Sequence, residues 1–186
     1  MERVFPDSNT LYPISVADLT LRLADIALYE LVWSEDLLAE VEGMLIEHKG
    51  LPPDRAAYFC DCIREAFPDG EIQRSAYEHL VGTRTGPDPD DHVHSAAAVG
   101  GRATVLLTSN RRDFPHADLE GVRRAKPDSY LSELLDAHPH EVLAVVEAMG
   151  TERRDPQGID ATLAALARAG LARFSERAAQ LIAERS

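Results

Sequence analysis

Cysteine is scarce in this chain, with only Cys60 and Cys62 among 186 residues. They lie two apart in the helical pattern AAYFCDCIREAF, so their side chains point in different directions and make a poor disulfide or metal pair. A reducing cytoplasm is the expected compartment. Long apolar runs are also missing. None approaches the ~20 residues that span a bilayer, and the opening MERVFPDSN has no signal-peptide core, so no membrane association is expected. Repeats and low-complexity tracts are absent, which excludes a solenoid. Positive charge is in short supply, with 19 Lys and Arg against 32 Asp and Glu and a net charge of −13. Residues 151–186 hold six Arg and five acids, so the excess acid belongs to the first 150 residues. Such a body repels nucleic acid, and a phosphate substrate needs bound cations or a local basic rim to approach. Arg111, Arg112, Arg123, Arg124 and Lys126 are candidates for that rim, although scattered solvated arginines explain each one equally well.

What is present is an ordinary globular composition, 45% hydrophobic and 27% charged. RVFP reads as a first short strand ending at Asp7, and a helix follows near 16–28 with a broad apolar face. ELVW at 30–33 reads as a second strand. Ser34 is placed to cap the helix SEDLLAEVEGMLIEH, whose first turn carries Glu35 and Asp36 where the helix dipole favours them. A helix over 53–67, an extended EIQ near 71–73 and a loop VGTRTGPD come next. A helix is expected from Pro89 to the Gly100-Gly101 pair, then a core strand ATVLLT, then a helix after Pro127. Strands alternating with helices of ten or more residues imply crossovers, hence a three-layer α/β/α fold with a mainly parallel central sheet. Residues 1–150 are expected to form that domain. Residues 151–186, two helical patterns after the polar break TERRDPQG, are expected to form a C-terminal helical extension.

Ligands of parallel sheets gather at the carboxyl ends of the strands, and acids recur there. DSN at 7–9 follows the first strand at once, although Asp-Ser-Asn is also a good turn or cap. Glu40 and Glu42 flank the apolar stripe Leu37, Leu38, Val41, Met44 and Leu45 on either side, and periodicity does not choose between them. In DPDD, Asp88 suits an N-cap, Pro89 the first helical position, and Asp90 and Asp91 the first turn. Capping needs fewer than three acids. His92 and His94 follow at i and i+2, which do not share a helix face, and neither is assigned to metal. TSNRRDF places Thr108, Asn110 and Asp113 just past the core strand. A turn explains each alone, but not the whole set. Oxygen ligands converging without histidine or thiolate favour Mg²⁺ or Mn²⁺.

DSNTLYP, WSEDLLAEVEGML and above all DPDDHVHSAAAVGGRATVLLTSNRRDFP resemble the PIN-domain ribonucleases, in particular the VapC-like toxins of type II toxin–antitoxin pairs. The resemblance covers most of residues 3–135, and the segment after residue 150 is similar to a tail carried by some bacterial members. It implies a PIN-like fold, hydrolysis of RNA phosphodiesters to a 5′-phosphate and a 3′-hydroxyl, and Mg²⁺ or Mn²⁺ as cofactor. By position, the family's acidic quartet falls on Asp7, Glu40, Asp91 and Asp113, which breaks the tie with Glu42. Asn9, Asp90, Thr108 and Asn110 fall where ligands or the scissile phosphate would be oriented. Asn110 stands where many relatives have aspartate. The implied partners are RNA and a small antitoxin that sends a basic side chain into the acidic pocket. Members commonly dimerise, and the helices at 160–185 suit a homodimer, an antitoxin or the domain's own core. The competing readings are a housekeeping RNA-processing nuclease, a catalytically silent scaffold binding RNA or protein, and a Mg²⁺-dependent phosphohydrolase of another α/β fold. The last usually wants DxD near the first strand, where this chain has DSN.

Overall fold

The computed structural model describes residues 1–152 and 158–185. Four strands, β1 (Arg3–Pro6), β2 (Glu30–Leu31), β3 (Val105–Leu107) and β4 (Arg123–Ala125), form one sheet in the order β2-β1-β3-β4 with every pair parallel. The helices are α1 (Ser8–Leu11), α2 (Ile14–Asp25), α3 (Glu35–Glu47), α4 (Pro53–Ala66), α5 (Glu78–Val81), α6 (His92–Gly100), α7 (Pro127–Ala137), α8 (Pro139–Thr151), α9 (Gly158–Arg168) and α10 (Ala172–Ala183). The fold is therefore α/β with a parallel sheet and a helical C-terminal region, consistent with the expected three-layer, PIN-like architecture. Of the break TERRDPQG, residues 153–157 lie outside the described residues.

Contacts divide the chain into two compact units. Met1–Tyr12 and Tyr29–Ala125 form the sheet unit, while Pro13–Leu28 and Lys126–Ser186 form a helical unit. The boundary expected after residue 150 falls in the last turn of α8, so the helices on both sides of it share one unit. In the helical unit α2 packs on α8 and α9, and α10 packs on α7 and α9. Leu19, Leu23, Leu131, Val142, Leu143, Leu166 and Phe174 make its buried interior.

The sheet unit follows the apolar pattern closely. Val105, Leu106 and Leu107 are fully buried beside Val4 and Phe5 on the central pair of strands, as a strand covered on both faces requires. Leu37, Leu38, Val41 and Leu45 bury one stripe of α3, and Ser34 caps it, its hydroxyl accepting from the Leu37 amide at 3.3 Å. The second strand is shorter than ELVW: pairing with β1 covers Glu30 and Leu31, and Trp33 instead bridges Glu71. β4 was not anticipated, because RRA is short, charged and without alternation. The backbone of β3 recruits it as an edge, with Arg123 and Arg124 placed across from Val105 and Leu106.

Two further differences bear on the site. α6 begins at His92 rather than Pro89, and Asp91 is its N-cap residue without using its side chain as a cap. The Gly100-Gly101 pair ends α6, but the left-handed residue there is Arg102 (φ 53°). Gly100 serves close packing instead, since a Cβ would come within 2.8 Å of the Tyr77 Cβ.

Candidate functional site

The carboxyl ends of β1 and β3 bring the first acids inward. Asp7 follows β1 directly and caps α1, with its backbone N–H donating to the Leu107 carbonyl at 2.9 Å. Its carboxylate is 1% exposed. One oxygen accepts from the amide and the hydroxyl of Thr10, each at 2.8 Å, and the other accepts from the Thr108 hydroxyl at 2.5 Å. Burial pushes this carboxyl above its ordinary value despite those three donors. Thr108 thus orients Asp7, and it also accepts from the Asn110 amide at 2.9 Å. The Asn110 side-chain amide donates to Asp113. The loop after β3 is therefore a relay that fixes both Asp7 and Asp113.

Glu40 projects from α3 toward Ser8 and His94. Its two oxygens accept from the Ser8 hydroxyl at 2.9 Å and from Nε2 of His94. Burial opposes its charge, but the hydrogen bond and charge of His94, with the Ser8 hydroxyl, bring the carboxyl below its ordinary value. An ionised carboxylate only accepts, so His94 directs its Nε2 proton at Glu40. His94 is 2% exposed, and its Nδ1 has no partner among the described residues. Sequence reasoning set His94 aside because it compared it with His92. The informative spacing was to Asp91, three residues earlier and on the same helix face. Ser8 was also missed; Asn9, its expected neighbour, is exposed.

Asp88, Asp91 and Asp113 bring carboxylate oxygens within 4.8 Å of one another. Asp91 and Asp113 were expected to meet, whereas Asp88 had been read as a helix cap. It accepts from the Asp90 amide at 3.1 Å, a local turn. Asp90 is exposed and lies outside this group. Asp7 and Glu40 also lie outside it, yet both act on Asp91. Burial first, then the charges of Asp88, Glu40 and Asp7, push the Asp91 carboxyl up to about 6 against the pull of His94. Strand end, α3, the N-terminus of α6 and the loop after β3 thus contribute acids to one region of the sheet unit. The donors are hard oxygens with uncompensated charge, which suits a dication of the Mg²⁺ or Mn²⁺ type.

The basic rim is only partly available. Arg111 and Arg112, next to Asp113 in the chain, are exposed, and Lys126 is exposed too. Arg123 pairs with Glu2 at 3.0 Å. Arg124 turns inward, donating to the carbonyls of Arg111 at 2.6 Å and Phe114 at 2.5 Å, so it braces the loop instead of offering charge to a ligand.

Comparison with known proteins adds one finding. Residues 127–180 match the family model described as the VapC50 C-terminal domain, less than a third of the chain. No curated protein and no solved structure matches. The match overlaps the resemblance read over residues 3–135 only at 127–135 and takes in most of the segment after residue 150. No helix among the described residues is long and apolar enough to cross a membrane. Over its C-terminal helical segment, the chain is therefore similar to a VapC-family domain.

Proposed function

We propose that this chain is a metal-dependent endoribonuclease, the toxin of a VapC-type toxin–antitoxin pair. The observation that carries the reading is the meeting of Asp88, Asp91 and Asp113, whose carboxylate oxygens lie within 4.8 Å of one another; the charges of Asp7 and Glu40 also reach Asp91. Several carboxylates gathered at a sheet's carboxyl edge repel one another and are costly to hold without a cation. The similarity of residues 127–180 to a VapC-family domain supports the toxin assignment.

Asp91 and Asp113 would hold the cation, with Asp88 in the same group and Asp7 and Glu40 directly or through water. A bound Mg²⁺ or Mn²⁺ supplies an activated water and stabilises charge on phosphate oxygens. The protein's own part is orientation. Thr108 fixes Asp7, Ser8 and His94 fix Glu40, and Asn110 fixes Asp113. Arg111 and Arg112 flank the site and offer the local positive charge that a polyanion needs on an acidic body. The same acidic pocket suits an arginine or lysine of an antitoxin as inhibitor.

The test is incubation of the purified protein with total RNA and Mg²⁺ or Mn²⁺. Cleavage should vanish with EDTA and in Asp7→Asn. Cleavage surviving both would sink the assignment. A protein that binds RNA but never cuts it would favour the scaffold reading.

A further inference from the structure

The loop that delivers Asp88 and Asp91 has no regular structure from Gly82 to the start of α6. Two acids on a free loop would recoil from Asp113 and from each other. Something must hold them there before any cation arrives. The sheet unit contains a buried polar network at this point that neither the acidic cluster nor the proposed chemistry uses.

Asp118 lies in a short 3₁₀ turn (His116–Leu119), is buried, and receives three hydrogen bonds from the start of the loop. Its carboxylate accepts from the Thr85 amide at 2.6 Å, the Thr85 hydroxyl at 2.8 Å and the Gly86 amide at 2.9 Å. Arg84 clasps the same turn from the other side. Its guanidinium donates to the Asp118 carbonyl, to Glu120 at 2.9 Å and to the Leu80 carbonyl at 3.2 Å. Its side chain is 3% exposed, so the whole fork is desolvated. These bonds press Gly86 onto the loop after β3 so closely that a Cβ would overlap the Asp113 carbonyl. The Gly86 carbonyl then engages Nε2 of His92 at 2.7 Å, tying the far end of the loop to the first turn of α6. The 3₁₀ turn also packs on α6. Asp88 and Asp91 thus sit on a short bridge pinned at Gly86, which lies against the backbone that carries Asp113, and at His92, which is tied back to Gly86.

We propose that Asp118, with Arg84, is a positioning clamp that presets Asp88 and Asp91 against Asp113 for cation binding. The clamp touches neither cation nor substrate. It acts by removing the loop's freedom to relax away from like charges. This inference rests on the metal-site reading above. Residues that orient metal ligands from behind typically change affinity by about 10- to 100-fold when altered.

The experiment titrates Mn²⁺ into RNA-free protein by electron paramagnetic resonance, well below the melting temperature. Wild type is compared with Asp118→Asn and Thr85→Ala. Asp118→Asn keeps the shape but loses the charge and part of the acceptor capacity, and should weaken Mn²⁺ binding by about tenfold or more. Thr85→Ala removes one exposed donor and should weaken it by a few fold, and it serves alone if Asp118→Asn does not fold. Circular dichroism should stay that of wild type, while amide exchange of residues 85–91 speeds up. A clamp that only stabilises the fold would lower the melting temperature and leave the affinity of folded molecules unchanged, which would overturn the proposal. Wild type that binds no Mn²⁺ would overturn the metal-site reading and this inference together. Wild-type binding with unaltered variants would overturn the clamp alone.

Discussion

Replacing Asp91 by Asn should make the cation-free protein more stable while destroying its affinity for the cation. The Asp91 carboxyl is raised to about 6 by burial and by Asp88, Glu40 and Asp7, whereas an unfolded aspartate titrates near about 3.9. A rise of about two pH units costs the ionised form about 3 kcal/mol. Asp91 is only half-buried, and solvent screening reduces that to about 1–2 kcal/mol. The sign follows from which state binds the proton more tightly. Below pH ~4 Asp91 is protonated folded and unfolded, and nothing is lost. Between about 4 and 6 the unfolded chain ionises first, so the folded state loses stability as pH rises. Above about 6 the full cost is present. Asn carries no charge, and because the Asp91 side chain caps nothing, the substitution removes no helix cap. Urea denaturation in EDTA, followed by circular dichroism, should find Asp91→Asn more stable by about 1–2 kcal/mol at pH 7.5 and by a smaller margin at pH 4.5. Added Mn²⁺ should then stabilise wild type by mass action and the variant far less, reversing their order. A variant no more stable than wild type at pH 7.5, or equally favoured at both pH values, would refute the electrostatic reasoning.

The two glutamates of α3 should separate cleanly. Glu40→Gln removes the charge held by Ser8 and His94 and should lower RNA cleavage by about 100-fold or more, whereas Glu42→Gln should stay within about twofold of wild type. Equal losses in initial rate would show that the hydrogen bonds of Glu40 do not mark it as functional. A small protein encoded beside this chain should co-purify with it through the acidic pocket. That association should weaken between about 100 and 500 mM salt, since exposed charges are screened over about 10 Å or less at such ionic strengths. Retention unaffected by salt would place the partner on an apolar surface instead.

Local signals in the sequence reached far. An unbroken apolar triplet is enough to predict β3, Ser34 followed by acids is enough to start α3, and a strand ending in Asp7 is enough to place a carboxylate at the sheet's edge. Each of these depends on neighbours within one turn or one pleat. What tertiary structure decided was which of those side chains meet. Thr108 bonds Asp7 across 101 residues, His94 bonds Glu40 across 54, and Asp118 bonds Thr85 across 33. No periodicity encodes such pairings, because they arise where crossover connections return the chain to the same edge of a parallel sheet. For the same reason β4 was invisible: a charged triplet becomes a strand only because β3 offers it an open ladder of backbone groups. Asp88 shows the limit most plainly. Its local chemistry says helix punctuation, and only the pinning of Gly86 beside Asp113 turns it into a member of a cation-sized group.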